Sequence, residues 1–249
     1  MFNNLYIRSI KLDDNIPSDN YLSSLNVIKN LTKLPELTLD KPVTFFVGEN
    51  GTGKSTLLEA IAVCNRFNAE GGTINFKFST NKTHSNLFDY LTVNKGTKHP
   101  KDGFFLRAES FYNVASKIDD MDKEPSFEPM VIESYGGVSL HKQSHGESFL
   151  SLVKNRFGGN GLYILDEPEA ALSPSRQLTL LAHINDLVKD NSQFIIATHS
   201  PILLAFPDAD IYVLGEDGII LTPYKETEHY KLTKQFINAP EQMLRYLFE

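Results

Sequence analysis

The chain has 249 residues, 41% of them apolar and 22% charged, with a formal charge of −7. These proportions suit a globular α/β chain with room for a full core, and the acidic balance argues against a surface built to coat duplex DNA. No apolar run approaches the ~20 residues that span a bilayer, no basic-then-apolar leader opens the sequence, and the single cysteine, Cys64, suits a reducing cytoplasm.

In chain order, Leu5 to Leu12 alternates as a half-exposed opening strand. Residues 13–42 are polar and broken by Pro17, Pro35 and Pro42, so connections and a short strand around Leu37 to Leu39 are expected. Tyr6 and Tyr21 are the candidates for stacking on a nucleotide base, although tyrosines at a sheet margin commonly just pack. Val43 to Val47 is an apolar strand. It runs into Gly48-Glu49-Asn50-Gly51-Thr52-Gly53-Lys54-Ser55-Thr56, and Leu57 to Ala62 continues as a helix.

That stretch fits G-x-x-x-x-G-K-[ST] in the strand–loop–helix context the motif requires. Glycines let the backbone curl until successive N–H groups point inward, and the helix N-terminus adds its positive end. Asn50, Gly51, Gly53 and Thr56 thus cradle phosphates, Lys54 reaches the β- and γ-phosphates, and the Ser55 hydroxyl ligates Mg²⁺. A nucleoside triphosphate is the ligand this loop calls for. No Asn-Lys-x-Asp motif is present to read a guanine base.

Beyond Gly71-Gly72, Thr73 to Phe78 alternates as a β segment, and basic residues outnumber acidic ones from Lys77 to Arg107. Such a run is a solvated face or a docking patch for a partner or nucleic acid. Phe104 to Glu109 reads as a buried strand ending in a carboxylate, and the acidic stretch from Ser110 to Lys142 as helix and loop. Ser144-His145-Gly146-Glu147 is a capping box that opens an apolar helix ending at Gly158-Gly159-Asn160-Gly161.

Leu162 to Leu165 is a buried strand that ends in Asp166-Glu167-Pro168. Beside a phosphate loop, Asp166 is the acidic partner of Mg²⁺ and Glu167 is placed to polarise the attacking water as general base. Ser173 caps the next helix with Pro174 at its first position, and Leu178, Leu181 and Leu187 are expected to form its core face. Gln193 to Thr198 is another buried strand with His199 at its C-terminal end, where open α/β sheets bind ligands. Residues 211–221 form a hairpin around Asp217-Gly218, and the tail over 242–248 reads as an amphipathic helix.

Taken together, the phosphate loop, Ser144 to Glu147, Leu165 to Pro168, Ala170 to Ser173 and Thr198 to Ser200 resemble ABC-type ATPases in order and spacing. Within them the chain is most similar to the compact stand-alone ATPases of the RecF/SMC-like branch. The resemblance implies an α/β P-loop NTPase fold, with a mainly parallel central sheet, an antiparallel β portion and a helical signature subdomain. Residues 1–249 would form one domain, with 1–109 and 160–249 as nucleotide-binding core and 110–159 as signature subdomain.

It implies ATP hydrolysis with Mg²⁺ in a head-to-tail, ATP-dependent homodimer, in which Ser144, Gly146 and Glu147 of one protomer face the γ-phosphate held by Lys54 of the other. His199 would be the switch histidine at the γ-phosphate. Two departures stand out: His145 replaces a signature glycine, and Glu109 stands where the family places a metal-side glutamine. An unknown protein partner is expected, nucleic-acid contact only weakly, and membrane insertion not at all. A transporter nucleotide-binding subunit, a DNA-repair or defence ATPase, and a low-turnover nucleotide sensor remain as alternatives.

Overall fold

The computed structural model describes residues 5–13, 16–17, 20–74, 85–108, 111–123 and 130–248. Its centre is a six-stranded sheet. β1 (Ile7–Leu12), β2 (Leu37–Thr38), β3 (Val43–Val47), β4 (Leu91–Lys95), β5 (Asp102–Arg107), β6 (Gly161–Asp166), β7 (Gln193–Ala197), β8 (Asp210–Leu214) and β9 (Ile219–Leu221) divide between two sheets. The large sheet has the order β5-β6-β7-β3-β8-β9, parallel through β8 and antiparallel only at the β8–β9 hairpin. The small one, β2-β1-β4, is antiparallel throughout.

The central strands are apolar at nearly every position because helices or sheet cover both faces. The two-residue period then sorts their side chains. Leu162, Ile164, Ile195, Ala197 and Phe46 face a core shared with α1 (Asn26–Leu31), α2 (Lys54–Cys64) and the small sheet. Tyr163, Leu165, Phe194, Ile196 and Phe45 face the opposite core, built with α3 (Phe111–Met121), α4 (His145–Arg156) and α5 (Pro174–Lys189). Thus the phosphate-loop helix and the signature helix lie on opposite faces.

Two polar devices lock these layers. The Gln193 carboxamide accepts from the Tyr6 and Ile7 N–H groups at 2.8 and 2.9 Å and donates to the Ile7 carbonyl at 2.8 Å, joining the two sheets. Asp102 accepts from Arg156 at 2.7 Å, the Tyr163 hydroxyl at 2.7 Å and the Gly158 N–H at 2.9 Å, tying the end of α4 to the sheet. Burial pushes the Asp102 carboxyl up, but these donors outweigh it and hold it below its ordinary value.

The opening strand, the short strand near Leu37, the hairpin and the capped α4 form as expected, and α5 starts after Ser173 with Pro174 in its first turn, although the Ser173 hydroxyl makes no cap bond to the helix backbone. The core face of α5 differs: Leu178 is 60% exposed, whereas Gln177, Leu180 and Ile184 are buried. The 3.6-residue period runs through 177, 180 and 184, and Leu181 and Leu187 flank that stripe partly buried. Thr73 and Ile74 begin the segment expected as a strand over 73–78; residues 75–78 lie outside the described residues. At the C-terminus, α6 (Glu228–Asn238) and α7 (Pro240–Phe248) follow each other with no buried residue in either. No helix among the described residues is long and apolar enough to cross a membrane.

Candidate active site

The parallel strands deliver the functional residues to one edge. β3 ends at the phosphate loop, β6 at Asp166 and β7 just before Thr198-His199; in register Arg107 pairs with Asp166, and Asp166 with Ala197. The Thr198 N–H donates to the Phe46 carbonyl at 3.1 Å, which keeps the histidine loop against the strand that feeds the phosphate loop.

The loop conformation explains its glycines. Gly51 and Gly53 have φ of 82° and 96°, in the left-handed region that favours glycine. At Gly53 a Cβ would also collide with Cγ1 of Val27. The Val27 N–H in turn donates to the Thr52 carbonyl at 3.1 Å, so α1 braces the loop from outside. Lys54 is only 4% exposed, and its ammonium donates to the Gly48 and Glu49 carbonyls at 2.7 and 2.9 Å. Burial draws its pKa down, while Glu167, Asp166 and Glu169 oppose that shift.

The Ser55 hydroxyl donates to Oδ1 of Asp166 at 3.1 Å. A hydroxyl and a carboxylate converging here supply the hard oxygen ligands that fit Mg²⁺. Arg107 Nε lies 3.8 Å from Oδ2 of Asp166, and its Nη1 donates to Oε2 of Glu59 on α2 at 2.7 Å. Arg107 therefore braces the Asp166 carboxylate, and this member of the expected basic docking patch is turned into the site. Lys98 and Lys101 are exposed, Lys95 reaches the Cys64 carbonyl at 3.3 Å, and Lys77 and Lys82 lie outside the described residues. Glu109, the expected additional metal-side carboxylate, also lies outside them.

Glu167 adopts φ 51° and ψ 52°, a left-handed backbone rare for a glutamate and costing on the order of 1 kcal/mol. Its N–H donates to the Ala197 carbonyl at 3.0 Å, and its Oε1 lies 3.6 Å from Nε2 of His199. Glu169 Oε1 accepts from the backbone N–H of His199 at 2.5 Å. The general-base candidate and the switch candidate are thus neighbours, and Glu169 anchors the histidine loop.

The signature residues sit apart from this cluster. A cavity of about 630 Å³ at the phosphate loop is lined by Glu49, Asn50, Gly51, Thr52, His199 and His229 among others, and by none of Ser144, Gly146 and Glu147. Oε2 of Glu147 closes the capping box of α4, accepting from the Ser144 N–H at 3.1 Å and its hydroxyl at 2.7 Å. Ser144 and Glu147 are exposed. Gly146 is buried beneath Arg176, where a Cβ would collide with the guanidinium. His145 packs edge-on against the Tyr112 ring of α3, centroids 4.8 Å apart.

Of the base-stacking candidates, Tyr6 is 4% exposed with its hydroxyl on the Asn191 carbonyl, so it packs, while Tyr21 is exposed. Sequence reasoning missed Arg107 and Glu169 as members of the site, and missed His229 altogether. The partners of Arg107 and His229 are set by tertiary packing, and no local pattern marks them.

Two family models match separate stretches: "AAA domain" over residues 24–65 and "AAA domain, putative AbiEii toxin, Type IV TA system" over residues 139–205. They cover the phosphate loop and the run from the signature to the histidine loop. A Haemophilus influenzae "Uncharacterized ABC transporter ATP-binding protein" is 26% identical over 207 residues, 76% of each chain. Over these stretches the chain is similar to ABC-type ATPase domains. Its enzymatic activity is that of an ATP hydrolase.

A Vibrio cholerae "Retron Vc95 probable ATPase" is 28% identical over 113 residues, 39% of this chain and 22% of that protein. At the level of fold, a solved nucleotide-free ATP-binding cassette from an ABC transporter superposes with a TM-score of 0.50 at 17% identity, covering 87% of this chain and 90% of that one.

Proposed function

We propose that this domain hydrolyses ATP at sites shared by two head-to-tail protomers and couples that cycle to a partner protein. The observation that carries the reading is the division of the site. Lys54, Ser55, Asp166, Glu167 and His199 gather in one chain, while Ser144 and Glu147 present an exposed helix N-terminus elsewhere. A helix N-terminus at the surface favours an anion, and on this reading the γ-phosphate of a second protomer docks beside the Glu147 carboxylate that caps it.

Lys54 neutralises the β- and γ-phosphates, and Ser55 with Asp166 holds Mg²⁺, which supplies charge neutralisation at the phosphates when bound. Glu167 takes a proton from water as the water oxygen bonds to the γ-phosphorus and the bond to the leaving ADP oxygen breaks. His199 donates from Nε2 to a γ-phosphate oxygen. We take 1–109 and 160–249 as the catalytic core and 110–159 as the signature subdomain of one domain.

A second reading, the nucleotide-binding subunit of a transporter, draws support from the Haemophilus relative's name. It predicts a membrane protein among the chains that co-purify with a trapped dimer.

The test is Glu167→Gln. It should bind ATP with wild-type affinity, lose about 10³-fold in turnover and accumulate a dimer with ATP by light scattering. A variant that stays monomeric with ATP and still hydrolyses it overturns the reading.

A further inference from the structure

α6 lines the phosphate-loop cavity with Glu228, His229 and Leu232. There His229 Nε2 lies 3.4 Å from Nδ1 of His199, the ring centroids 5.6 Å apart. This placement is braced independently. The N-cap Thr227 is buried and its hydroxyl accepts from the Tyr230 N–H at 3.3 Å, while the Tyr224 hydroxyl donates to the Pro201 carbonyl at 2.9 Å. The Thr227 cap fixes the start of the helix, and the Tyr224–Pro201 bond fastens the turn before it to the loop that carries His199, although the helix buries no residue in the core.

The other nitrogen of His199 explains what this contact does. Nε2 is buried without a hydrogen-bond partner among the described residues and faces Glu167 Oε1 at 3.6 Å. A neutral imidazole carries one N–H, and the hydrogen bond at one nitrogen decides which nitrogen holds the proton. Every group that Nε2 serves in this site is an anion: the Glu167 carboxylate and, on the reading proposed above, the γ-phosphate. A lone pair at Nε2 would repel both. The productive tautomer has the proton on Nε2 and the lone pair on Nδ1, so Nδ1 needs a donor.

We propose that His229 is that donor, a positioning residue whose Nε2–H holds His199 in its Nε2–H tautomer. Burial draws the His229 pKa down and favours its neutral form, which donates as the Nε2–H tautomer. His229 touches neither nucleotide nor water in this scheme; it acts through His199.

The inference rests on the γ-phosphate role of His199, and the experiment separates the two. Long-range ¹⁵N–¹H correlation spectra of the full chain, with His199→Ala for assignment, report the tautomer without reference to activity. The Nε2–H form of His199 should predominate in wild type and in His229→Gln, whose amide donates from the same place, and should give way to a mixture in His229→Ala. Turnover should fall about tenfold in His229→Ala, return to within about threefold of wild type in His229→Gln, and fall no further when His229→Ala is added to His199→Ala. An unchanged His199 tautomer in His229→Ala overturns the inference, as does a double variant slower than His199→Ala. Wild-type turnover in His199→Ala would instead overturn the γ-phosphate role and leave the tautomer result standing.

Discussion

The phosphate-loop face and the signature face of the sheet differ in how their polar groups are satisfied. On the first, functional side chains find partners within the chain: Lys54 on two loop carbonyls, Ser55 on Asp166, Arg107 between Glu59 and Asp166, and the His199 backbone on Glu169. On the second, Ser144 and Glu147 bond to each other at the surface, with Arg176 Nη2 3.3 Å from Glu147. Both regions carry motif residues, but only the first is assembled in one copy. A site closed by its own chain is read from one structure; a site completed across an interface, as proposed above, would leave its second half as an ordinary capped helix.

The sharpest way to break the comparison is at Lys54. Its ammonium is buried among carbonyls and three carboxylates, so a triphosphate drawn into this loop depends on it. Lys54→Ala should weaken ATP binding by about 10²–10³-fold, the expected loss when a buried charge loses its partner. Calorimetric titration with Mg·ATP measures it. An affinity within a few-fold of wild type would remove the loop from the site.

Legibility followed the same division. The strands feeding the site are continuous apolar runs ended by glycine or carboxylate, and the phosphate loop is specified by glycines whose φ values no other residue adopts as readily. Asp166, Glu167 and His199 stand at strand ends, where chain order suffices to place them. Arg107 read as part of a basic surface run because its partner Glu59 is 48 residues away, a relation set by packing rather than period. His229 sits 30 residues beyond His199 on a helix that has no apolar stripe in the core to announce it. Leu178 belongs to a leucine-rich helix where two overlapping stripes fit the spacing, and burial chose the one through Leu180.

A smaller effect sharpens the link between the two faces. Asp102 anchors the end of the signature helix to the sheet, and its carboxyl lies below the ordinary value near 3.9. A depressed folded-state pKa contributes stability that is present above the unfolded pKa and is lost as pH falls through the folded value. Asp102→Asn should therefore cost about 2 kcal/mol at pH 7, the scale of breaking a partly buried pair, with the gap from wild type closing below about pH 4. Urea unfolding at pH 7 and pH 3 checks it. An equal gap at both values would mean that packing rather than charge joins α4 to the sheet.

A complementation test asks whether the exposed half of the site is used. Lys54→Ala cripples the phosphate loop and leaves Ser144 in place; Ser144→Arg fills the outward helix N-terminus and leaves Lys54 in place. In a heterodimer of the two, one composite site carries both lesions, and the other pairs an intact loop with an intact signature. Mixing two inactive proteins should then restore up to about half the wild-type ATPase rate if the sites act independently. If each chain used its own Ser144, every site would carry one lesion and mixing would restore nothing. Strict coupling between the sites would also suppress turnover but would leave ATP-dependent heterodimers, which native mass spectrometry resolves. Neither turnover nor heterodimers would reduce Ser144 to the cap of α4.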